Sequence, residues 1–156
     1  MPNQNASVAA NRAAIPQVLT RGNQHGGEVR VFNSTYVNPA TGGPVIGEHI
    51  VWGHLPRGAR VLRAVLTCST GTAGSTINLG DPADTTRYSA AVPVAAAGTT
   101  TMDPVATMAA GAAGFEVGVI NVGGTTDQSE LRSVVGGAAI AAGQLFNLTV
   151  YYATND

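Results

Sequence analysis

The sequence contains no lysine, a single cysteine, and few charged or aromatic residues. All eight basic residues are arginine, charged residues make up 11% of the 156, and aromatic residues make up 5%. Soluble domains typically carry about 25% charged residues, so we expect partner proteins to cover much of this surface. The net charge is −1. Because phosphate binding needs clustered positive charge, we expect no nucleic-acid partner.

The single cysteine and the lack of long apolar runs limit the redox and membrane roles that the chain can have. The single Cys68 excludes an intramolecular disulfide, and we interpret it as a small buried hydrophobic residue. No run approaches the ~20 apolar residues of a transmembrane helix, and no basic-then-apolar start indicates a secretory signal. We therefore expect no membrane partner. The use of arginine alone has two open interpretations, a genome composition bias or a need for interface contacts.

Residues 1–26 differ in composition from the rest of the chain. They contain asparagine, glutamine, alanine and two prolines, with few large apolar residues. We interpret them as an extended N-terminal arm that becomes ordered against a neighbour, with a frayed terminus of no role as the alternative. Residues 27–156 are expected to form one domain, since this length suffices for a single core.

Alternation of apolar and polar residues predicts about eight strands and no long helix. The predicted strands are 28–37, 48–55, 60–69, 75–80, 87–92, 115–122, 131–140 and 144–153. Residues 92–113 are rich in alanine, threonine and glycine, and we expect a long irregular loop with at most one short strand or helical turn. The spacing favours an all-β fold, a jelly-roll-like two-sheet β-sandwich.

Two of these strands have a clear predicted core face. In the strand at 60–69, the side chains expected to point inward are Leu62, Ala64, Leu66 and Cys68. In the strand at 144–153, they are Phe146, Leu148, Val150 and Tyr152. The opposite sides carry Arg63 and several polar residues, which are expected to face solvent or a partner.

No motif in the sequence indicates catalysis. His49 and His54 are five residues apart, which places them on opposite faces of an unbroken strand, and His25 lies in the arm. They therefore do not predict the metal site of a cupin-like enzyme. There is no serine elbow, and the phosphate loop of nucleotide-binding proteins needs a lysine. We assign no catalytic, cofactor-binding or metal-binding residue and expect no enzymatic activity.

The sharpest polar constellation is the turn sequence GDPADTTRY at 80–88. One interpretation is a divalent-cation loop built on Asp81 and Asp84, but it lacks the further acidic ligands of a tight site. The favoured interpretation is structural. Asp81 opens the turn, Asp84 accepts backbone N–H groups, and Arg87 pairs with one carboxylate to lock the loop.

Two segments resemble the small capsid decoration, or cement, proteins of tailed bacteriophages. They are HIVWGHLPRGARVL at 49–62 and INLGDPADTTRYSAA at 77–91, within a resemblance that covers residues 28–152. Such proteins often carry a leucine-proline-x-glycine-alanine turn into a strand, and a leucine-glycine, acidic, then arginine-aromatic pattern.

The resemblance implies a jelly-roll protein, often a homotrimer, which is made in the host cytoplasm and located on the exterior of the virion. It would bind between major capsid proteins and stabilise the head against packaged DNA. The partner contacts expected on this basis are Arg12, Arg21, Arg57 and Trp52, although Trp52 is equally open to a core role.

A second class of function remains open, the receptor- or carbohydrate-binding head domain of a phage fibre or tail adhesin. Jelly rolls serve this role well. Such domains usually expose aromatic rings to sugars, and this chain has only eight aromatic residues, most of them on predicted strand faces.

Overall fold

The computed structural model describes residues 28–102, 117–118 and 127–154, and these residues form eight strands and no helix. The strands are β1 (Glu28–Val37), β2 (His49–His54), β3 (Arg60–Cys68), β4 (Thr76–Leu79), β5 (Ser89–Pro93), β6 (Gly98–Met102), β7 (Glu130–Gly136) and β8 (Leu145–Thr154). The predicted all-β class is confirmed. Within the same ranges, nothing resembles a helix of the length and apolarity needed to cross a membrane.

The eight strands form two four-stranded antiparallel sheets. The first sheet has the order β1-β8-β3-β6, and the second has the order β2-β7-β4-β5. The pairs β1–β8, β2–β7, β3–β6 and β4–β5 are successive rungs of one long hairpin whose tip lies between β4 and β5. When such a hairpin rolls up, its successive strand pairs alternate between two sheets, which is the topology of a jelly roll. The predicted jelly-roll-like sandwich is therefore confirmed.

The core lies between the two sheets and is made mostly of aliphatic side chains. On β8, Phe146, Leu148 and Val150 are completely buried, while Tyr152 is half-buried against the cluster. These four are the residues that the alternation predicts, because β8 runs without a register shift against β1. The largest fully buried side chains from the other strands are Leu66, Ile77, Leu79, Met102, Leu131 and Val135, and Trp52 is 6% exposed.

Strand β3 departs from its predicted face at one residue. A bulge between Val61 and Arg63 shifts the register against β8, and a bulge advances the alternation by one position. Val61 is therefore buried, whereas Leu62 is 44% exposed. The prediction of Leu62 as a core residue is wrong, while Ala64, which follows the bulge, is buried as predicted.

The long segment expected to be irregular contains a strand at its start. Strand β6 lies within 92–113 and pairs with β3, in agreement with the short strand allowed there. The strand predicted at 115–122 falls outside the described residues, except for Val117 and Gly118, which are not in a strand. The proposed arm at 1–26 also lies outside them.

Candidate functional site

The turn after β4 is built on the carboxylate of Asp81. This side chain is completely buried. Its Oδ1 accepts the backbone N–H groups of Ala83 at 2.8 Å and of Asp84 at 2.9 Å. Its Oδ2 accepts a hydrogen bond from Nε of Arg87, whose side chain is 16% exposed. Both oxygens of Asp81 are thus occupied by partners from its own turn.

The second carboxylate of the turn has a local role. Asp84 Oδ1 accepts the backbone N–H of Thr86 at 3.0 Å and its hydroxyl at 2.9 Å. The carbonyl of Asp84 accepts the N–H of Asp81 at 3.0 Å, which closes the turn. The adjoining Tyr88 is buried, and this burial, with a smaller contribution from the charge of Asp81, raises the pKa of its hydroxyl. The arrangement is that of a structural turn, with its carboxylates satisfied by backbone and arginine.

Of the four residues expected to contact a partner, two are described. Trp52 is 6% exposed, and its Nε1 donates to the hydroxyl of Ser133 at 2.8 Å. The prediction that Trp52 contacts a partner at the surface is wrong, because the alternation of side chains on β2 directs its ring into the core. Arg57 lies in the turn between β2 and β3 and is exposed, without an ion pair in the described part of the chain. Arg12 and Arg21 lie outside the described residues.

The outward side of the first sheet is nearly free of charge. We call it the neutral face, and its side chains are Val29, Val31, Asn33, Thr35, Val37, Arg60, Leu62, Arg63, Val65, Thr67, Thr99, Thr101, Leu145, Asn147, Thr149 and Tyr151. Among the described residues of this face, Arg60 and Arg63 are charged, and the guanidinium of Arg63 donates to the hydroxyl of Thr101 at 3.1 Å. Val31 and Val37 are more than half exposed.

The outward side of the second sheet has a different character. Strand β7 carries Glu130 and Arg132 there, and Arg132 Nε donates to Glu130 Oε1 at 2.6 Å. His54 pairs directly with Glu130 across the strands, and Asp127 lies just before β7. The ligand atoms of His54, Asp127 and Glu130 all lie within 4.8 Å of one another. A compact cluster of charged and potentially metal-binding side chains therefore lies at this end of the second sheet.

Sequence reasoning missed this cluster because β2 is not an unbroken strand. Its register against β7 shifts between Val51 and Gly53. His49 then pairs with Val134 and His54 with Glu130, so both histidines lie on the same face, contrary to the prediction. The glycine inside the strand was the available signal, since such glycines often mark bulges. About four residues of β7 still separate the two positions, roughly 13 Å at ~3.3 Å per residue.

Comparison with known proteins identifies the fold. No protein-family model matches the sequence, and no curated protein matches it significantly. A chain of the cyanophage Pam1 capsid asymmetric unit is similar, with a TM-score of 0.60, 22% identity and 99% of each chain covered. A chain in the capsid of Ralstonia phage GP4 has a TM-score of 0.59 and 22% identity, covering 83% of this chain and 86% of that one. At this level of identity, the likeness establishes a shared fold.

Proposed function

We propose that this protein is a structural component of a phage virion, a decoration protein that binds the outer surface of the head between major capsid proteins. The two similar solved chains occur in phage capsids, which supports a place in the particle. The neutral face of this chain supports an adhesive role, because a broad surface whose few charges lie at one end is unusual for a freely soluble domain. No enzymatic activity belongs to the proposal.

The observation that carries the proposal is the composition of the neutral face. Threonine, asparagine and valine side chains from four adjacent strands form one surface, and its charged residues among those described, Arg60 and Arg63, lie at one end of it. Such a surface loses little solvation free energy when a partner covers it, since burial of charge is the costly part. It is therefore better suited to docking than the ion-paired second sheet.

The size of the neutral face suggests how the protein would attach. Four strands ~4.8 Å apart and about seven residues long at ~3.3 Å each cover roughly 400–450 Å² of flat surface. This is smaller than the ~800 Å² per partner of a standard interface. A single copy would then bind weakly. Attachment would depend on repetition, either across several capsid neighbours or within the homotrimer that the sequence resemblance suggests.

Arg57 is the second element of the proposal. Its exposed guanidinium lies in a tight turn that Gly58 completes with a φ of +80°. A planar guanidinium pairs bidentately with a carboxylate at an interface. We include Arg57 as a contact to an acidic group of the capsid. Arg12 and Arg21 remain part of the proposal as contacts from the N-terminal arm.

The test is reconstitution on heads that lack this protein. Full-length wild type, Asn147→Glu and His49→Glu would be mixed with such heads, and bound protein would be measured after sedimentation. Asn147 lies in the middle of the neutral face, while His49 is an equally exposed strand residue of the second sheet. We expect Asn147→Glu to lower occupancy at least tenfold and His49→Glu to leave it unchanged. Equal binding of all three would contradict the proposed surface.

The alternative, a carbohydrate-binding head of a fibre or adhesin, has less support. Among the described residues, Tyr151 is the only exposed aromatic side chain, at 37%. Sugar-binding modules usually stack rings on more than one aromatic surface. Saturable binding to a glycan array, lost in Tyr151→Ala, would favour the adhesin over the decoration protein.

A further inference from the structure

The end of β2 meets the start of β7 in a compact set of potential metal ligands. His54 Nδ1 lies 3.7 Å from Oδ2 of Asp127, and Glu130 is the direct cross-strand partner of His54. From this geometry we propose that His54, Asp127 and Glu130 bind a divalent first-row transition metal ion, with zinc as the representative. The proposal concerns a site within one chain and does not depend on capsid binding.

The spacing of the three residues fits a small ion. In a tetrahedral site with metal–ligand distances of ~2.0–2.2 Å, neighbouring ligand atoms are about 3.3–3.6 Å apart. The His54–Asp127 separation of 3.7 Å is close to this value. The full set lies within 4.8 Å, so the ligand atoms would have to approach one another by up to about 1.5 Å to close around an ion.

The ligand-bearing groups are held in place by neighbours. Asp127 Oδ1 accepts the backbone N–H of Ser129 at 2.9 Å and its hydroxyl at 2.6 Å. The Oδ2 atom of Asp127 lies 3.7 Å from Nδ1 of His54, and the Ser129 hydroxyl lies 3.1 Å from the same nitrogen, so an ion bound through Nδ1 would displace this hydroxyl. Arg132 holds Oε1 of Glu130. Outer hydrogen bonds of this kind orient metal ligands and raise affinity.

Burial and charge also favour a cation at this place. Asp127 is completely buried and Glu130 is 6% exposed, so an ion held between these carboxylates would be largely shielded from water. Arg132 pairs with Glu130, and a divalent ion would supply further neutralising charge. The side chain of His54 is 41% exposed and provides the side from which an ion enters.

The donor set selects the class of metal. Calcium prefers six to eight oxygen ligands, and one imidazole with two carboxylates does not supply them. Imidazole nitrogen and carboxylate oxygen together are typical zinc ligands, with water completing the coordination. The ion would join β2, the edge strand of the second sheet, to the residues that lead into β7.

The experiment is a zinc titration of the EDTA-treated, full-length protein by calorimetry, with thermal unfolding measured in parallel. We expect one equivalent of zinc and a melting temperature that rises with zinc concentration. His54→Ala should weaken binding at least tenfold and abolish the thermal shift, and Asp127→Asn should do the same. His49→Ala is the matched control, since His49 is exposed on the same strand outside the cluster, and it should bind like wild type.

Three results would overturn the proposal. One is the absence of any zinc-dependent heat or thermal shift in the wild type at up to millimolar zinc. Another is binding that His54→Ala and Asp127→Asn leave unchanged, or that His49→Ala removes, which would indicate a surface histidine site elsewhere. The third is calcium binding of equal or higher affinity that does not require His54.

Discussion

Replacement of Asp81 by alanine should destabilise the fold more than any other change in the turn after β4. The substitution removes the acceptor for two backbone N–H groups and the carboxylate that pairs with Arg87, whose side chain is 16% exposed. Removing one partner of a buried ion pair is costly because the remaining charge keeps little solvation at this low exposure.

The magnitude follows from the number and burial of these bonds. Breaking a buried ion pair by removal of one partner costs about 3–5 kcal/mol, so we expect Asp81→Ala to lower the free energy of unfolding by this amount. Asp81→Asn retains an oxygen for the N–H groups and loses mainly the charge, for a loss of about 1.5–3 kcal/mol. Asp84→Asn, at an exposed position with local partners only, should cost about 0.5–1 kcal/mol.

The assay is urea unfolding at one fixed protein concentration, followed by tryptophan fluorescence. Trp52 is the only tryptophan and is buried against both sheets' core cluster, so its emission reports global unfolding. The expected order of stability is wild type, Asp84→Asn, Asp81→Asn and Asp81→Ala. The reasoning is refuted if Asp81→Ala lies within 1 kcal/mol of wild type, or if Asp84→Asn costs as much as Asp81→Ala.

Three further changes test other parts of the structure. Gly53→Ala should cost about 1–3 kcal/mol in the same assay, because its Cβ would lie 2.9 Å from the ring of Phe32 at a φ of +150°. Gly98→Ala, at a strand glycine without a positive φ whose Cβ would meet no atom within 4 Å, should cost less. The free energy of unfolding should fall above pH ~10, because tyrosine in the unfolded chain ionises there, whereas burial raises the pKa of Tyr88 in the folded protein. Tyr88→Phe should make this fall smaller. Cys68, whose thiol pKa is raised by burial, should react with a thiol reagent at least tenfold faster in urea than in buffer. Equal losses for the two glycines, an unchanged pH profile in Tyr88→Phe, or equal thiol rates would contradict these expectations.

The strands that the sequence predicts best are those that pair without interruption. Strand β8 runs in constant register between β1 and most of β3, so alternation alone identifies Phe146, Leu148 and Val150 as core. The same logic fails at Leu62, where the extra residue of a bulge moves the apolar side chain outward. Bulges depend on how two distant strands fit, and a pattern within one strand does not contain that information.

The cluster of His54, Asp127 and Glu130 could not be predicted from the sequence for the same reason, a bulge. The bulge in β2 brings His54 opposite Glu130, and Asp127 joins through a turn that its own carboxylate holds with Ser129. His54 precedes Asp127 and Glu130 by more than seventy positions in the sequence. Only the pairing of β2 with β7 brings the three residues together. By contrast, the contacts around Asp81 span six residues and could be inferred from local turn chemistry.

The most direct test of the proposed function is the copy number of this protein in purified virus particles, measured by quantitative mass spectrometry against the major capsid protein. A decoration protein should be present in hundreds of copies, in a simple ratio to the major capsid protein. About a dozen copies would indicate a fibre or tail adhesin instead, and absence from the particles would contradict a structural role in the virion.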